Sequence, residues 1–143
     1  FVGCALNLIP KNPLDEINRL SRKIQAGADF VLTQPIYQPE HAYSFMEIVQ
    51  KELGNIKIPI LAGVLPLANN RHARFLAQEV PGITIPENIL HRMEAAGEES
   101  SKEGVKIAVE NIRAMRSVIQ GVYLMPAFNR YDYAAEVIEA IKV

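Results

Sequence analysis

The sequence predicts an α/β protein in which four parallel strands alternate with helices. Three observations carry this. Short β-type runs alternate with longer helical stretches in the order βα, βα, βα, a helical insertion, then βα, which is the pattern of a parallel sheet with helices packed on it. Hydrophobic residues make up 49% and charged residues 22% of the 143 residues, a globular balance able to bury a core. Turn and cap residues also fall where each element should begin or end. Two closures fit: an open, doubly wound sheet, or half of a (β/α)8 barrel, whose full form needs about 250 residues.

Each element has a local reason. Phe1–Leu6 reads as a buried strand. Asn12 is a candidate N-cap, Pro13 suits the first helical position, and Asp15 and Glu16 suit the positive end of the helix dipole. Leu14, Ile17, Leu20 and Ile24 recur at helical spacing as an expected buried stripe, and Gly27 stops the helix. Phe30–Gln34 is the second strand, closed by Pro35. Ala42, Phe45, Met46, Val49 and Leu53 mark a helix ended by Gly54. Ile58–Leu65 is the third strand. Asn69 or Asn70 caps a helix carrying Ala73, Leu76 and Ala77, and Thr84 is the expected cap of a short helix with Ile89, Leu90 and Met93. Gly97–Ser101 reads as a loop or helix entry. A long helix then runs through Val105, Ala108, Val109, Ile112, Met115 and Ile119 to a stop at Gly121. Val122–Met125 is the fourth strand, and 134–141 the last helix.

Composition excludes several function classes. Fifteen basic and sixteen acidic residues leave a net charge of −1, so no nucleic-acid partner is expected and any anion site must be a local cluster. Apolar runs are short and broken by Pro or Gly, so no membrane partner is expected. One cysteine, Cys4, excludes an internal disulfide framework and reads as a small core residue. His41, His72 and His91 lack metal-ligand spacing, so no metal is expected. No Gly-x-Gly-x-x-Gly, phosphate-loop or Gly-x-Ser-x-Gly pattern occurs. A cytoplasmic location is expected. The sequence opens at Phe1 inside an apolar run, which reads as a chain cut in the middle.

In either closure, ligands sit at the C-terminal ends of the strands. That singles out Asn7, Thr33–Pro35, Leu65–Asn70 and Pro126–Arg130. Gln34 offers an amide with donors and an acceptor, suited either to an amide-like ring edge or to a neighbouring loop. Arg19, Arg22 and Lys23 share neighbouring positions of one helix and suit a diphosphate; the alternative is a solvated face with Glu16 pairing a base. His72 is a ligand contact, an acid–base group or a helix-start residue without a role. Arg130 is a candidate carboxylate or phosphate clamp, or a partner of Asp132.

Three separated runs, in order along the chain, resemble the methylenetetrahydrofolate reductase family. Arg22–Gln34 resembles its Lys-x-x-Ala-Gly-Ala helix end leading to a strand ending in Thr-Gln. Ile58–Pro66 looks like its Pro-Gly-Ile-Leu-Pro strand, and Asn129–Arg130 is similar to its Leu-Asn-Arg segment. Thr33-Gln34-Pro35 followed by Tyr37 looks most like the reductase part of bifunctional homocysteine methyltransferase–reductase proteins of methionine biosynthesis. The resemblance implies that residues 1–143 are the C-terminal half of a flavin-binding (β/α)8 barrel, about strands 5 to 8. It implies reduction of 5,10-methylenetetrahydrofolate to 5-methyltetrahydrofolate, with NAD(P)H as reductant and FAD as carrier. It assigns Gln34 to catalysis and to holding the pterin. Glu16, Arg19, Arg22 and Lys23 fall to FAD, with Lys23 on the diphosphate, and His72, Leu76 and Arg130 to folate or nicotinamide. Cys4 stands where some members have a tyrosine near the adenine. The family's acidic residues for the reacting centre lie in the N-terminal half, so the chain alone is expected to be inactive and to need that half, or a second copy, as partner. Two other readings fit the residues: a self-associating half-barrel without catalysis, and an unrelated α/β enzyme with a phosphorylated substrate.

Overall fold

A computed structural model describes residues 1–142; Val143 lies outside them. Four strands, β1 (Gly3–Leu6), β2 (Phe30–Pro35), β3 (Ile60–Val64) and β4 (Gly121–Leu124), are parallel and lie side by side in chain order. That order decides between the two closures. A doubly wound sheet reverses direction at a switch point. An order of 1-2-3-4 has no reversal and is the arrangement of a (β/α)8 barrel segment, with right-handed crossovers carrying successive helices to one face. The chain is therefore an α/β barrel part of four parallel strands with helices.

Among the described residues six α-helices accompany the sheet: α1 (Pro13–Gln25), α2 (Pro39–Leu53), α3 (Asn70–Glu79), α4 (Glu87–Ala95), α5 (Ser100–Ala114) and α6 (Tyr131–Ile141). Cys4, Leu6, Val31, Ile60, Ala62 and Val122 pack with Ile17 and Leu20 of α1 and Phe45 and Val49 of α2. Val64, Val122 and Leu124 face α5 and α6. Because strand residues alternate between faces, the intervening residues point the other way. Ala5, Leu32, Leu61 and Gly121 form one row in register across all four strands, outside the helix-facing clusters.

Several expectations are corrected. Phe1–Leu6 is not a buried strand: β1 starts at Gly3, and Gly3 and Ala5 are exposed because β1 is an edge strand with one uncovered face. Leu14 is 55% exposed and leaves the apolar stripe to Ile17, Leu20 and Ile24. Pro35 is the last residue of β2, tolerated because the register is irregular between Leu32 and Pro35. The cap of α4 is Pro86, not Thr84. The long helix ends at Ala114, and Met115 and Ile119 beyond it turn inward to the core; Gly121 opens β4. The last helix starts at Tyr131, three residues earlier than expected. Gly104 of α5 has a packing reason, since a Cβ there would overlap the carbonyl of Leu67.

Candidate functional site

The C-terminal end of β2 is held from both sides. Its register irregularity interrupts the regular ladder, and Thr33 supplies a substitute: its buried Oγ1 accepts from the Gly63 N–H at 3.0 Å and donates to the Gln34 carbonyl at 2.8 Å. From β4, the Tyr123 hydroxyl donates to the Thr33 carbonyl. The neighbouring β3 residue must be glycine for this. A Cβ on Gly63 would sit 2.6 Å from the Thr33 oxygen and 2.9 Å from the Tyr123 hydroxyl. Burial pushes the Tyr123 phenol above its ordinary pKa, so it stays a donor at neutral pH.

The Gln34 side chain reaches toward β1, where its Nε2 donates to Asn7 Oδ1 at 2.6 Å. The same Asn7 oxygen accepts from the Ile9 N–H at 2.8 Å, and the Asn7 N–H donates to Glu16 Oε1 at 3.0 Å. Glu16 is only 6% exposed, and its other oxygen accepts from Arg19 at 3.3 Å. Arg19, Glu16, Asn7 and Gln34 thus form one hydrogen-bonded chain from α1 to the end of β2.

The basic trio converges as its spacing suggests. Arg19, Arg22, Lys23 and Ala26 line one surface cavity of about 320 Å³. Arg22 Nε donates to the Asn18 carbonyl at 3.4 Å, and Lys23 Nζ donates at 2.7 Å to the carbonyl of Ala5 in the edge strand. Glu16 is not part of that cavity's lining, because its carboxylate turns inward to the Asn7 backbone.

A second cleft opens beyond β3 and β4, with Asn69, Arg71, His72, Phe75, Ala127 and Phe128 around about 540 Å³. Asn69 caps α3 by accepting from the His72 N–H at 2.8 Å. His72 Nδ1 accepts from the Ala68 N–H at 3.2 Å, which requires that nitrogen to be unprotonated and leaves the proton of the neutral ring on Nε2. Burial lowers the His72 pKa, in keeping with a neutral ring. Phe128 lies edge-on to His72 with centroids 5.1 Å apart. Phe128 and Asn129 both have positive φ, 55° and 57°, a backbone conformation costly for a non-glycine residue such as Phe.

One assignment is corrected, and a second residue has a local partner. Leu76 faces away from this cleft: it is 6% exposed and packs with Tyr37, Leu67 and Met93, because the next residue around a helix points about 100° away from Phe75, which does line the cleft. Arg130 is engaged locally, donating to both oxygens of Asp132 at 3.0 and 3.2 Å and lying 3.9 Å over the Tyr133 ring. Asn7, Tyr123, Gly63, Arg71, Phe75 and Phe128 are site residues that the motifs did not mark by role. Asn7 and Phe128 had a signal, their places beyond strand ends. No cluster of metal-ligating side chains is found among the described residues.

The family model for methylenetetrahydrofolate reductase matches residues 8–142. The chain belongs to that family. It is 30% identical over 118 residues to methylenetetrahydrofolate reductase 2 of Schizosaccharomyces pombe, covering 79% of this chain and 18% of the relative. It is 26% identical over 114 residues to methylenetetrahydrofolate reductase 1 of the same organism, covering 74% and 18%. The chain therefore spans less than a fifth of the length of these curated reductases, 18% of each. A solved structure shares its fold at a TM-score of 0.71 and 19% identity, covering 96% of this chain and 51% of its own. That protein is described as an uncharacterized protein from Clostridium thermocellum that binds two copies of 5-methyl-5,6,7,8-tetrahydrofolic acid. Among the described residues, no helix is long and apolar enough to cross a membrane.

Proposed function

We propose that residues 1–143 supply strands 5 to 8 of a methylenetetrahydrofolate reductase barrel, and that the whole enzyme reduces 5,10-methylenetetrahydrofolate to 5-methyltetrahydrofolate with NAD(P)H in the cytoplasm. The observation that carries this is Gln34. It stands at the C-terminal end of a barrel strand, held by Thr33, Tyr123 and Asn7, within a chain of this family. The folate-binding structural neighbour supports the same substrate class.

Gln34 is the residue that holds and orients the pterin. Its amide reads an edge carrying both donors and acceptors, and its fixed backbone limits the freedom lost on binding. His72, as a neutral ring with a proton on Nε2, donates to a ligand in the cleft, and Phe75 and Phe128 supply aromatic walls for a planar group. Arg130 reaches the folate only by exchanging Asp132 for it.

For FAD, the donor set fits the diphosphate: Arg19, Arg22 and Lys23 border one cavity, and two guanidinium groups with an ammonium suit paired phosphate oxygens. FAD, when bound, supplies the hydride relay between nicotinamide and folate. This chain's residues bind and orient. The acidic group for the reacting centre belongs to the remaining strands, which also cover the row of Ala5, Leu32 and Leu61. The 143-residue chain by itself is inactive in this reading.

Steady-state kinetics of the full natural protein test it. Gln34→Ala raises the folate KM about tenfold, the loss of roughly one hydrogen bond, while NAD(P)H-driven flavin reduction keeps its rate. Lys23→Ala weakens FAD retention. An unchanged folate KM in Gln34→Ala overturns the assignment.

A further inference from the structure

We infer that Asn7 is a positioning residue that locks the Gln34 amide with its carbonyl oxygen toward the ligand, so that this position selects a ligand edge carrying an N–H donor. The inference rests on the reading of Gln34 as a folate contact and adds a residue and a polarity to it.

The argument begins with an atom whose identity is unambiguous. The Ile9 backbone N–H is a donor only, and it lies 2.8 Å from the Asn7 amide. The Asn7 atom facing it must therefore be Oδ1, which settles the orientation of that amide. Gln34 approaches the same oxygen at 2.6 Å, so its facing atom must be the donor Nε2. With Nε2 engaged by Asn7, Oε1 is the end of the amide offered to a ligand. Without this constraint, a glutamine amide can turn over and offer a donor instead.

Asn7 is itself held. Its N–H donates to the buried carboxylate of Glu16, which is braced by Arg19 on α1. The loop after β1 is thereby tied to the helix behind it, and the Ile9 N–H holds Asn7 Oδ1 from the other side. The ligand class that satisfies Gln34 Oε1 is a heterocycle with a ring N–H or amino group on its edge. The second proton on Nε2 remains available to an adjacent acceptor.

The test pairs spectroscopy with binding in the full natural protein. In the first arm, the Gln34 side-chain amide is followed by NMR with selective glutamine labelling. The wild type shows one strongly downfield Nε2 proton, Asn7→Asp keeps it because a carboxylate oxygen still accepts, and Asn7→Ala loses it. In the second arm, Asn7→Ala raises the folate KM about tenfold, as for the loss of one hydrogen bond. Asn7→Asp restores KM to within about threefold, since the acceptor is retained, and Asn7→Ala adds nothing further in a Gln34→Ala background. A downfield proton that survives Asn7→Ala, or a normal folate KM in Asn7→Ala alongside a raised one in Gln34→Ala, overturns the inference. A normal KM in Gln34→Ala overturns the reading of Gln34 beneath it, while the spectroscopic arm still reports on Asn7.

Discussion

The helix-covered face of the sheet and its open face are built from the same four strands, one residue apart, yet they are filled differently. On the covered face Val31, Ile60 and Ala62 meet Leu20, Phe45 and Val49 and lose nearly all contact with solvent. On the open face Ala5, Leu32, Leu61 and Gly121 form a row outside the packed clusters, and Phe1, 99% exposed, stacks on Phe30 at 5.2 Å. The first face carries the stability of the chain. The second is shaped for contact, and the hydrogen-bonded Gln34 stands at its C-terminal rim. Burial, more than strand membership, separates a structural role from a binding one here.

Substitutions can break this contrast, beginning with the largest expected effect. Leu20→Ala removes a fully buried side chain and lowers unfolding free energy in urea by about 2–5 kcal/mol. Leu61→Ala on the open face costs less than about 1 kcal/mol in the 143-residue chain. Equal costs would show both faces to be packed, and a larger Leu61 cost in the full natural protein would show that its remaining strands cover this row.

Gly63→Ala comes next, at about 1–3 kcal/mol from overpacking against the Thr33 carbonyl. Under the proposed function it also raises the folate KM, because the displaced atoms are those that hold the end of β2. Tyr123→Phe keeps the ring and removes one donor to Thr33, costing about 0.5–1.5 kcal/mol in the same unfolding measurement.

The pH effect is smaller. The His72 pKa is lowered by burial from its ordinary 6.5, so below about pH 6.5 the unfolded chain binds more protons than the folded one. Stability therefore falls as pH drops through that window, down to the folded-state value, and is unaffected above it. Melting temperatures at pH 8 and pH 5 check this: His72→Gln removes part of the acid sensitivity. The smallest effect is Arg130→Ala, which leaves the melting temperature unchanged because its pairing with Asp132 is on the surface.

Much of this was legible in the chain. Alternating apolar runs located every strand, and caps located the starts of α1 and α3, since Asn12 and Asn69 act through local hydrogen bonds to nearby backbone. The basic trio was legible too, because three- and four-residue spacing places side chains together on any helix. Leu14 and Leu76 were misread for one reason: helical periodicity says which residues share a face, not where the edge of a neighbour's cover falls. Thr84 failed as a cap because the chain runs extended to Pro86 before the helix begins. The pairing of Asn7 with Gln34 was not legible, since residues 27 apart meet only after two strands align.

The sequence by itself determined the α/β class, the four strands, the family and the cationic face of α1, because these depend on side-chain type and short-range spacing. Only the tertiary structure decided the strand order, which separates a barrel part from a doubly wound sheet, and the bonds that unite Glu16, Asn7, Gln34, Thr33 and Tyr123. Those depend on register between strands, and register comes from packing the whole apolar face at once.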